Sequence, residues 1–204
     1  MKILAINGSH RPGKGTASLL QDVLDAASSR GAETELVELA QLDIAYCTGC
    51  NRCLSRTTCV ISDDMDDLYE KLASAEGIIV GSPDYFSNVS ARMKTFFDRT
   101  RPLHMVENVL KGKVGGMIAT GGLNGCGLEE TLAVMDRFLA THEMLIVHPR
   151  VAGPVVAGGV MASQFAGIDD DGNVRWRNVQ DDHVARSFAR QLSCDMVDLI
   201  ERTA

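Results

Sequence analysis

The chain has 204 residues, 45% of them hydrophobic, and a net charge of −7. This is ordinary composition for one globular domain, and an acidic balance without a basic stripe argues against a nucleic-acid partner. No uninterrupted apolar run reaches the length of a membrane span, and strand-forming residues begin at Lys2, so a soluble, cytoplasmic protein without a signal peptide or membrane partner is expected.

In chain order, Ile3, Leu4, Ala5 and Ile6 form a continuous apolar run, the pattern of a strand covered on both faces. It leads into Gly8-Ser9-His10-Arg11-Pro12-Gly13-Lys14-Gly15-Thr16, and then into helical spacing over Ala17 to Ser28. A strand, a glycine-rich hydroxyl-bearing turn and a helix N-terminus make an anion site from backbone N–H groups and the helix dipole, best matched to a phosphate. Gly8 to Lys14 fits the start of a P-loop, but the residue that follows is Gly15 where a magnesium-holding Ser or Thr belongs, which argues against an NTPase. The dinucleotide pattern G-x-G-x-x-G also fails, because Ser9 and His10 follow Gly8.

Thr34 to Leu39 alternates as a second strand, and Asp63 to Ala73 reads as a helix led by acidic residues. Gly77 to Gly81 is a third strand, and Ser90 to Arg99 a helix with Ser90 as its cap. Val114 to Ala119 is a fourth strand, Leu128 to Thr141 an amphipathic helix, and Met144 to Val147 a fifth strand. Arg150 to Gln180 reads as irregular, with an Asp171-Gly172 turn suggesting a small hairpin, and Asp181 to Arg202 closes the chain as a helix. Asp169 to Asn173 resembles a calcium loop only superficially and reads as a solvated turn.

Five strands alternating with helices predict an α/β fold, a flavodoxin-like doubly wound five-stranded parallel sheet of order 2-1-3-4-5, spanning residues 1–204 as one domain. Ligands of such sheets sit outside the carboxyl ends of the strands, so the loops there should carry function. After the third strand comes Ser82-Pro83-Asp84-Tyr85-Phe86-Ser87-Asn88, two aromatics among small polar residues, suited to a planar ring with a polar rim. After the fourth comes Thr120-Gly121-Gly122-Leu123-Asn124-Gly125-Cys126-Gly127, whose glycines permit close approach to a flat ligand.

After the second strand lies Cys47-x2-Cys50-x2-Cys53-x5-Cys59, four thiols in one loop, with Cys126 and Cys194 outside the pattern. In a reducing compartment such a run points to a metal or cluster before a disulfide framework. Three cysteines at intervals of three match the first spacings of ferredoxin-type [4Fe–4S] runs, although the fourth is followed by Val60 and not by proline. Tetrahedral zinc, redox-active thiols and merely structural thiols remain the alternatives. Of the five histidines none has metal spacing, and only His10 is expected near the ligand.

Taken together, Gly8-Ser9-x-Arg11-x-Gly13-x-Gly15-Thr16, the cysteine run, Asp63-Asp64-Met65, Ser82-Pro83-x-Tyr85, Met93-Lys94 and Phe97-Asp98-Arg99 resemble the iron–sulfur flavoprotein branch of the NAD(P)H-dependent FMN reductase family. The likeness continues through Gly122 and Glu130-Thr131-Leu132, covering most of the first 150 residues. The resemblance implies a flavodoxin-like fold, FMN as cofactor, a [4Fe–4S] cluster on Cys47, Cys50, Cys53 and Cys59, and a homodimer or homotetramer that brings the cluster of one subunit near the flavin of another. By position it implies that Ser9, Arg11, Gly13, Gly15 and Thr16 hold the FMN phosphate. It implies further that Pro83, Asp84, Tyr85, Phe86, Ser87 and Asn88 line the isoalloxazine ring, with Thr120, Gly121 and Gly122 flanking it. Gly15 departs from relatives that carry an amide or hydroxyl there, and Asp84 places a carboxylate where many carry an apolar side chain.

The expected activity is electron transfer between NAD(P)H or a ferredoxin-like donor and a small-molecule or redox-protein acceptor, with no catalytic acid or base required. Two alternatives stand beside it: a plain NAD(P)H:FMN or quinone reductase whose cysteines bind zinc or nothing, and a non-enzymatic FMN carrier. The irregular Val151 to Gly167 segment is expected at an oligomer contact, and Trp176 is expected either to cover a subunit's flavin edge in the oligomer or to serve in packing.

Overall fold

The computed structural model describes residues 1–123, 125–151 and 155–203. Asn124, in the loop after the fourth strand, and residues 152–154, in the Gly/Ala-rich segment, lie outside the described residues. In chain order the elements are β1 (Lys2–Asn7), α1 (Gly15–Ser29), β2 (Glu33–Glu38), α2 (Met65–Ser74), β3 (Gly77–Pro83), α3 (Ala91–Arg99) and α4 (Pro102–Met105). There follow β4 (Val114–Gly121), α5 (Leu128–Thr141), β5 (Leu145–Ile146), β6 (Arg150–Val151), β7 (Val155–Val156), β8 (Val160–Ser163), β9 (Phe165–Ile168), β10 (Val174–Trp176) and α6 (His183–Thr203).

The main sheet is parallel, in the order β2-β1-β3-β4-β5, as the alternation of strands and helices predicts. Side chains of a strand point alternately to its two faces. Leu4, Ile6, Ile78 and Val80 therefore join one apolar cluster with Leu68 and Leu72 of α2, Met93 and Phe96 of α3, and Leu132 and Met135 of α5. Their neighbours Ile3, Ala5 and Ile79 join the other, with Leu20 and Leu24 of α1 and Leu192 and Met196 of α6. A strand apolar at every position is required to serve both clusters, which is why β1 and β3 read as unbroken apolar runs.

The fifth lane differs from expectation. β5 is only two residues long and pairs with the start of β4, Val114 and Gly115. Beyond it the chain leaves the sheet, and β8 returns to pair in parallel with the far half of β4, Ile118 to Gly121. β3 occupies the other edge of β4 along its length, so β5 and β8 share one lane. The described residues between Arg150 and Gln180 are thus more regular than their composition predicts. Its expected hairpin is present: β9 and β10 pair antiparallel, and the Asp169 carboxylate accepts hydrogen bonds from the Asp171 and Asn173 N–H groups in the connecting turn.

Candidate functional site: a nucleotide-sized cavity beside a four-cysteine loop

The loop after β1 is fixed before any ligand enters. Gly8 N–H donates to the Gly81 carbonyl at 2.8 Å, and Ser90, the N-cap of α3, donates its hydroxyl to the Gly8 carbonyl at 2.5 Å. A Cβ on Gly8 would stand 2.7 Å from that of Met93, so only glycine fits here. Ser9 N–H bonds the Asn7 side chain at 2.9 Å, and the Ser9 hydroxyl accepts from Arg11 N–H at 3.1 Å. At the end of β2, the Glu38 carboxylate accepts from the Asn7 amide at 2.5 Å and from Gly13 N–H at 2.9 Å. Gly13 takes a positive φ of 67°, the left-handed turn that aims the chain into α1.

These braces leave the first-turn N–H groups of α1, at Gly15 and Thr16, for an anion, since a helix has no internal partner for them. The cavity they border measures about 440 Å³, within the size range of ligand pockets. Its wall is made by Ser9, Arg11, Lys14, Gly15 and Thr16 from the first loop, Pro83, Asp84 and Tyr85 after β3, and Thr120, Gly121 and Gly122 at the end of β4. Gln164 and Trp176 complete it. The hydroxyls of Thr16 and Thr120, both buried, lie 2.7 Å apart and join the anion end to the loop after β4. Arg11 and Lys14 are exposed cations at the same end, a local reversal of the chain's net negative charge.

The loop after β3 is tightly turned. Phe86 and Ser87 both take left-handed φ values, 54° and 57°, and Tyr85 N–H closes on the Asn88 carbonyl at 2.9 Å. Non-glycine residues hold such a conformation only where their surroundings impose it. The imposition comes from α5: Thr131 donates its hydroxyl to Asp84 at 2.7 Å, and Gly127 at the head of that helix packs where any Cβ would meet the Ser87 backbone at 2.7 Å. Tyr85 is held by His10, whose ring lies parallel to it at 5.7 Å.

Of the residues expected around a cofactor, Ser9, Arg11, Gly15, Thr16, Pro83, Asp84, Tyr85, Thr120, Gly121 and Gly122 share the cavity wall. Gly13, Phe86, Ser87 and Asn88 are not part of that wall: Gly13 shapes the turn, Phe86 is fully exposed, and Ser87 and Asn88 complete the turn that presents Tyr85. Lys14 and Gln164 are cavity residues that sequence reasoning does not mark, whereas Trp176, expected at a flavin edge of an oligomer or in packing, lines the cavity of its own chain. Gln164 and Trp176 arrive from the far side of a long excursion, and no local spacing announces them.

The cysteine loop leaves β2 at the same edge of the sheet. Ile44 and Tyr46 from its stem line a cleft of about 190 Å³ together with His10, so the first loop and the cysteine loop meet across one groove. Cys47, Cys50, Cys53 and Cys59 all line a single small hollow, backed by Asp98, Arg99, Arg101 and Pro102. Left-handed φ values at Gly49 (66°) and Asn51 (59°) curl the backbone around it, and Arg101 donates to the Asn51 side chain at 3.1 Å. Among the described residues, no three Cys, His, Asp or Glu side chains stand close enough to share one metal ion. The donor set nonetheless fits a soft metal centre by its chemistry, four thiols from one loop on one hollow. The N–H of Arg52 lowers the Cys50 thiol below its ordinary value, outweighing burial, with the Thr48 hydroxyl adding to the effect.

What holds the loop is a buried ion pair that sequence spacing does not reveal. Arg99, at the end of α3, is 1% exposed. Its guanidinium donates to both oxygens of Asp63 at 2.6 and 3.0 Å, to the Ala45 carbonyl at 2.7 Å and to the Ile61 carbonyl at 3.3 Å. Ala45 precedes the cysteines and Ile61 follows them, so one side chain clasps both stems. Asp63 also accepts from Ala45 and Met65 N–H at 2.9 and 3.1 Å. Burial would raise the Asp63 carboxyl, but these donors, Arg99 foremost, hold it below the usual carboxylate range.

A family profile described as NADPH-dependent FMN reductase matches residues 1–158. An iron–sulfur flavoprotein of Methanocaldococcus jannaschii is 41% identical over 147 residues, 72% of this chain and 76% of that protein. An iron–sulfur flavoprotein of Methanosarcina thermophila is 33% identical over 205 residues, 99% of this chain and 98% of that protein. Among solved structures, a WrbA-like flavodoxin from Agrobacterium tumefaciens superposes with a TM-score of 0.61 at 15% identity, over 100% of this chain and 98% of that one, a likeness of fold.

Proposed function

The chain belongs to the NADPH-dependent FMN reductase family, in its iron–sulfur flavoprotein branch, and is a flavin-dependent oxidoreductase; from that premise we propose that it binds FMN in the 440 Å³ cavity and a [4Fe–4S] cluster on the four-cysteine loop. FMN supplies two-electron hydride chemistry and a [4Fe–4S] cluster single-electron transfer, so together they link two-electron and one-electron partners. The observation that carries the reading is the placement of both loops at one sheet edge, facing each other across the His10 and Tyr46 cleft.

The chain's own residues divide the work. Ser9, Arg11, Lys14, Gly15 and Thr16 would hold the phosphate with N–H, hydroxyl and cationic donors. Pro83, Asp84, Tyr85 and Thr120 to Gly122 would border the ring, with Thr131 fixing the Asp84 carboxylate and His10 fixing Tyr85. Cys47, Cys50, Cys53 and Cys59 would supply the four thiolates, and the Arg99–Asp63 clasp keeps the stems of their loop together. NAD(P)H or a ferredoxin-like protein is the proposed donor, a small molecule or redox protein the acceptor, and a homodimer or homotetramer the working assembly.

Anaerobic purification with flavin, iron and acid-labile sulfide quantified tests the reading. The expected result is roughly one FMN, four iron and four sulfide per chain. Flavin with neither iron nor sulfide overturns the cluster and leaves a plain reductase, the second reading, which the unconverged thiols favour. Elution at the monomer mass on size exclusion overturns the assembly.

A further inference from the structure

We propose that Trp176 is a cofactor-contacting residue: its indole closes the ring end of the cavity and packs against the isoalloxazine of bound FMN. The inference rests on the assignment of FMN to that cavity. Trp176 lies in the cavity wall, beside the glycines at the end of β4. Its Cζ3 and Cη2 stand 3.4 and 3.5 Å from the point where a Cβ on Gly122 would sit, so the six-membered ring lies against a backbone without side chain.

The placement is built and not incidental. The register of the β9–β10 hairpin shifts between Arg175 and Trp176. Such an irregularity re-aims the side chain that follows it. Immediately beyond, Arg177 is pinned: its N–H donates to the Gln164 carbonyl at 2.7 Å, its Nε to the Ser163 carbonyl at 2.7 Å, and its Nη2 pairs with Asp182 at 2.7 Å. The other hairpin base is pinned too, by Gln164 N–H to Gly121 at 2.9 Å and Phe165 N–H to Gly122 at 2.7 Å. Trp176 therefore sits at the anchored root of the hairpin and not at its free tip.

With a packing role inside this chain, an indole so firmly placed would be buried. It is 63% exposed and lines a cavity where its nearest wall is Gly122, which has no side chain. An aromatic face at the lip of a cavity gains its stabilisation from a second ring laid on it. Isoalloxazine is the large planar group of the ligand assigned to this site.

Trp176 is the only tryptophan in the chain, and its exposure makes substitution safe for the fold. The full-length protein and its Trp176→Phe and Trp176→Ala variants are titrated with FMN, with the flavin excited directly. An indole stacked on isoalloxazine quenches flavin emission, so emission of bound FMN is expected to rise several-fold in Trp176→Phe, with affinity within about twofold of the parent. Trp176→Ala is expected to bind FMN roughly tenfold more weakly. Unchanged affinity in Trp176→Ala, with unchanged emission in both variants, overturns the inference and leaves the FMN site standing. A change of oligomeric state in Trp176→Ala with FMN affinity retained also overturns it, placing the indole at a subunit contact. Failure of the parent protein to bind FMN overturns the cavity assignment and this inference together.

Discussion

The loops after β1 and β2 leave neighbouring strands at the same edge, yet they are held in opposite ways. The first is braced along its length, at Gly8, Ser9, Arg11 and Gly13, by the Gly81 carbonyl and the side chains of Asn7, Ser9, Glu38 and Ser90, and its hydroxyls at Ser9 and Thr16 are buried in place. The second is fastened mainly at its stems, by Arg99 and Asp63, with one bond from Arg101 to Asn51 between the thiols, while Cys47 and Cys50 stand exposed. An anion site gains from donors that need no rearrangement when the ligand arrives. A thiolate loop takes its final form from the metal, since metal binding and local folding are one process.

That contrast is broken most directly by removing one thiol. Cys50→Ser is expected to abolish iron and sulfide content while FMN binding stays within about twofold, read by metal analysis and flavin titration. Loss of FMN in the same variant would mean that the two loops form one unit. Next in size is the clasp. Arg99→Met leaves the largely buried Asp63 carboxylate without its partner and is expected to cost about 3 kcal/mol in urea unfolding. Iron content should fall in that variant even where the fold survives.

The β1 loop is tested by Glu38→Ala, which frees Asn7 and Gly13 N–H, and a roughly tenfold loss of FMN affinity is expected with iron content unchanged. A control away from both loops comes from His142, buried against His104 and bonded to the Thr100 hydroxyl at 3.0 Å. Burial first, and His104 second, push it down to about 4. Its folded value lies below an unfolded value near 6.5, so the unfolded chain takes up the proton first. Stability should hold above about pH 6.5 and fall by roughly 2 kcal/mol as pH drops toward about 4. Urea midpoints at pH 7 and 4.5 measure this, and His142→Gln should flatten the difference. The smallest effect is expected of Phe86→Ser. The ring is fully exposed, so stability should change by less than about 0.5 kcal/mol and FMN affinity by less than about twofold.

The same contrast explains what could be read from the sequence. The central sheet was legible because Ile3 to Ile6 and Gly77 to Gly81 are apolar at every position, and only a doubly covered strand needs that. The anion loop was legible because glycine, serine and threonine between a strand and a helix have few other uses. Four thiols in one short run announce themselves. The supports did not. Asp63 and Arg99 are 36 residues apart and each has ordinary polar neighbours, so only the packing of α3 beside the loop pairs them. Glu38 reads as one more polar residue on an alternating strand. β8 is four residues of mixed polarity, too short for a period to show, and it pairs because β5 leaves half a lane open. Gln164 inherits that obscurity, since its place in the cavity depends on where β8 docks.

The divided fifth lane has a consequence for how this architecture tolerates change. β5 and β8 each bond to β4 independently, so the two registers are set at separate ends of that strand. A segment spliced in beside Gly158, whose α-carbon faces open space, lengthens the excursion without sliding a single pair of the four inner strands. The hairpin downstream stays moored by its own bonds to Gly121 and Gly122. New surface can thus be grafted next to the reactive rim while the scaffold beneath it is left untouched.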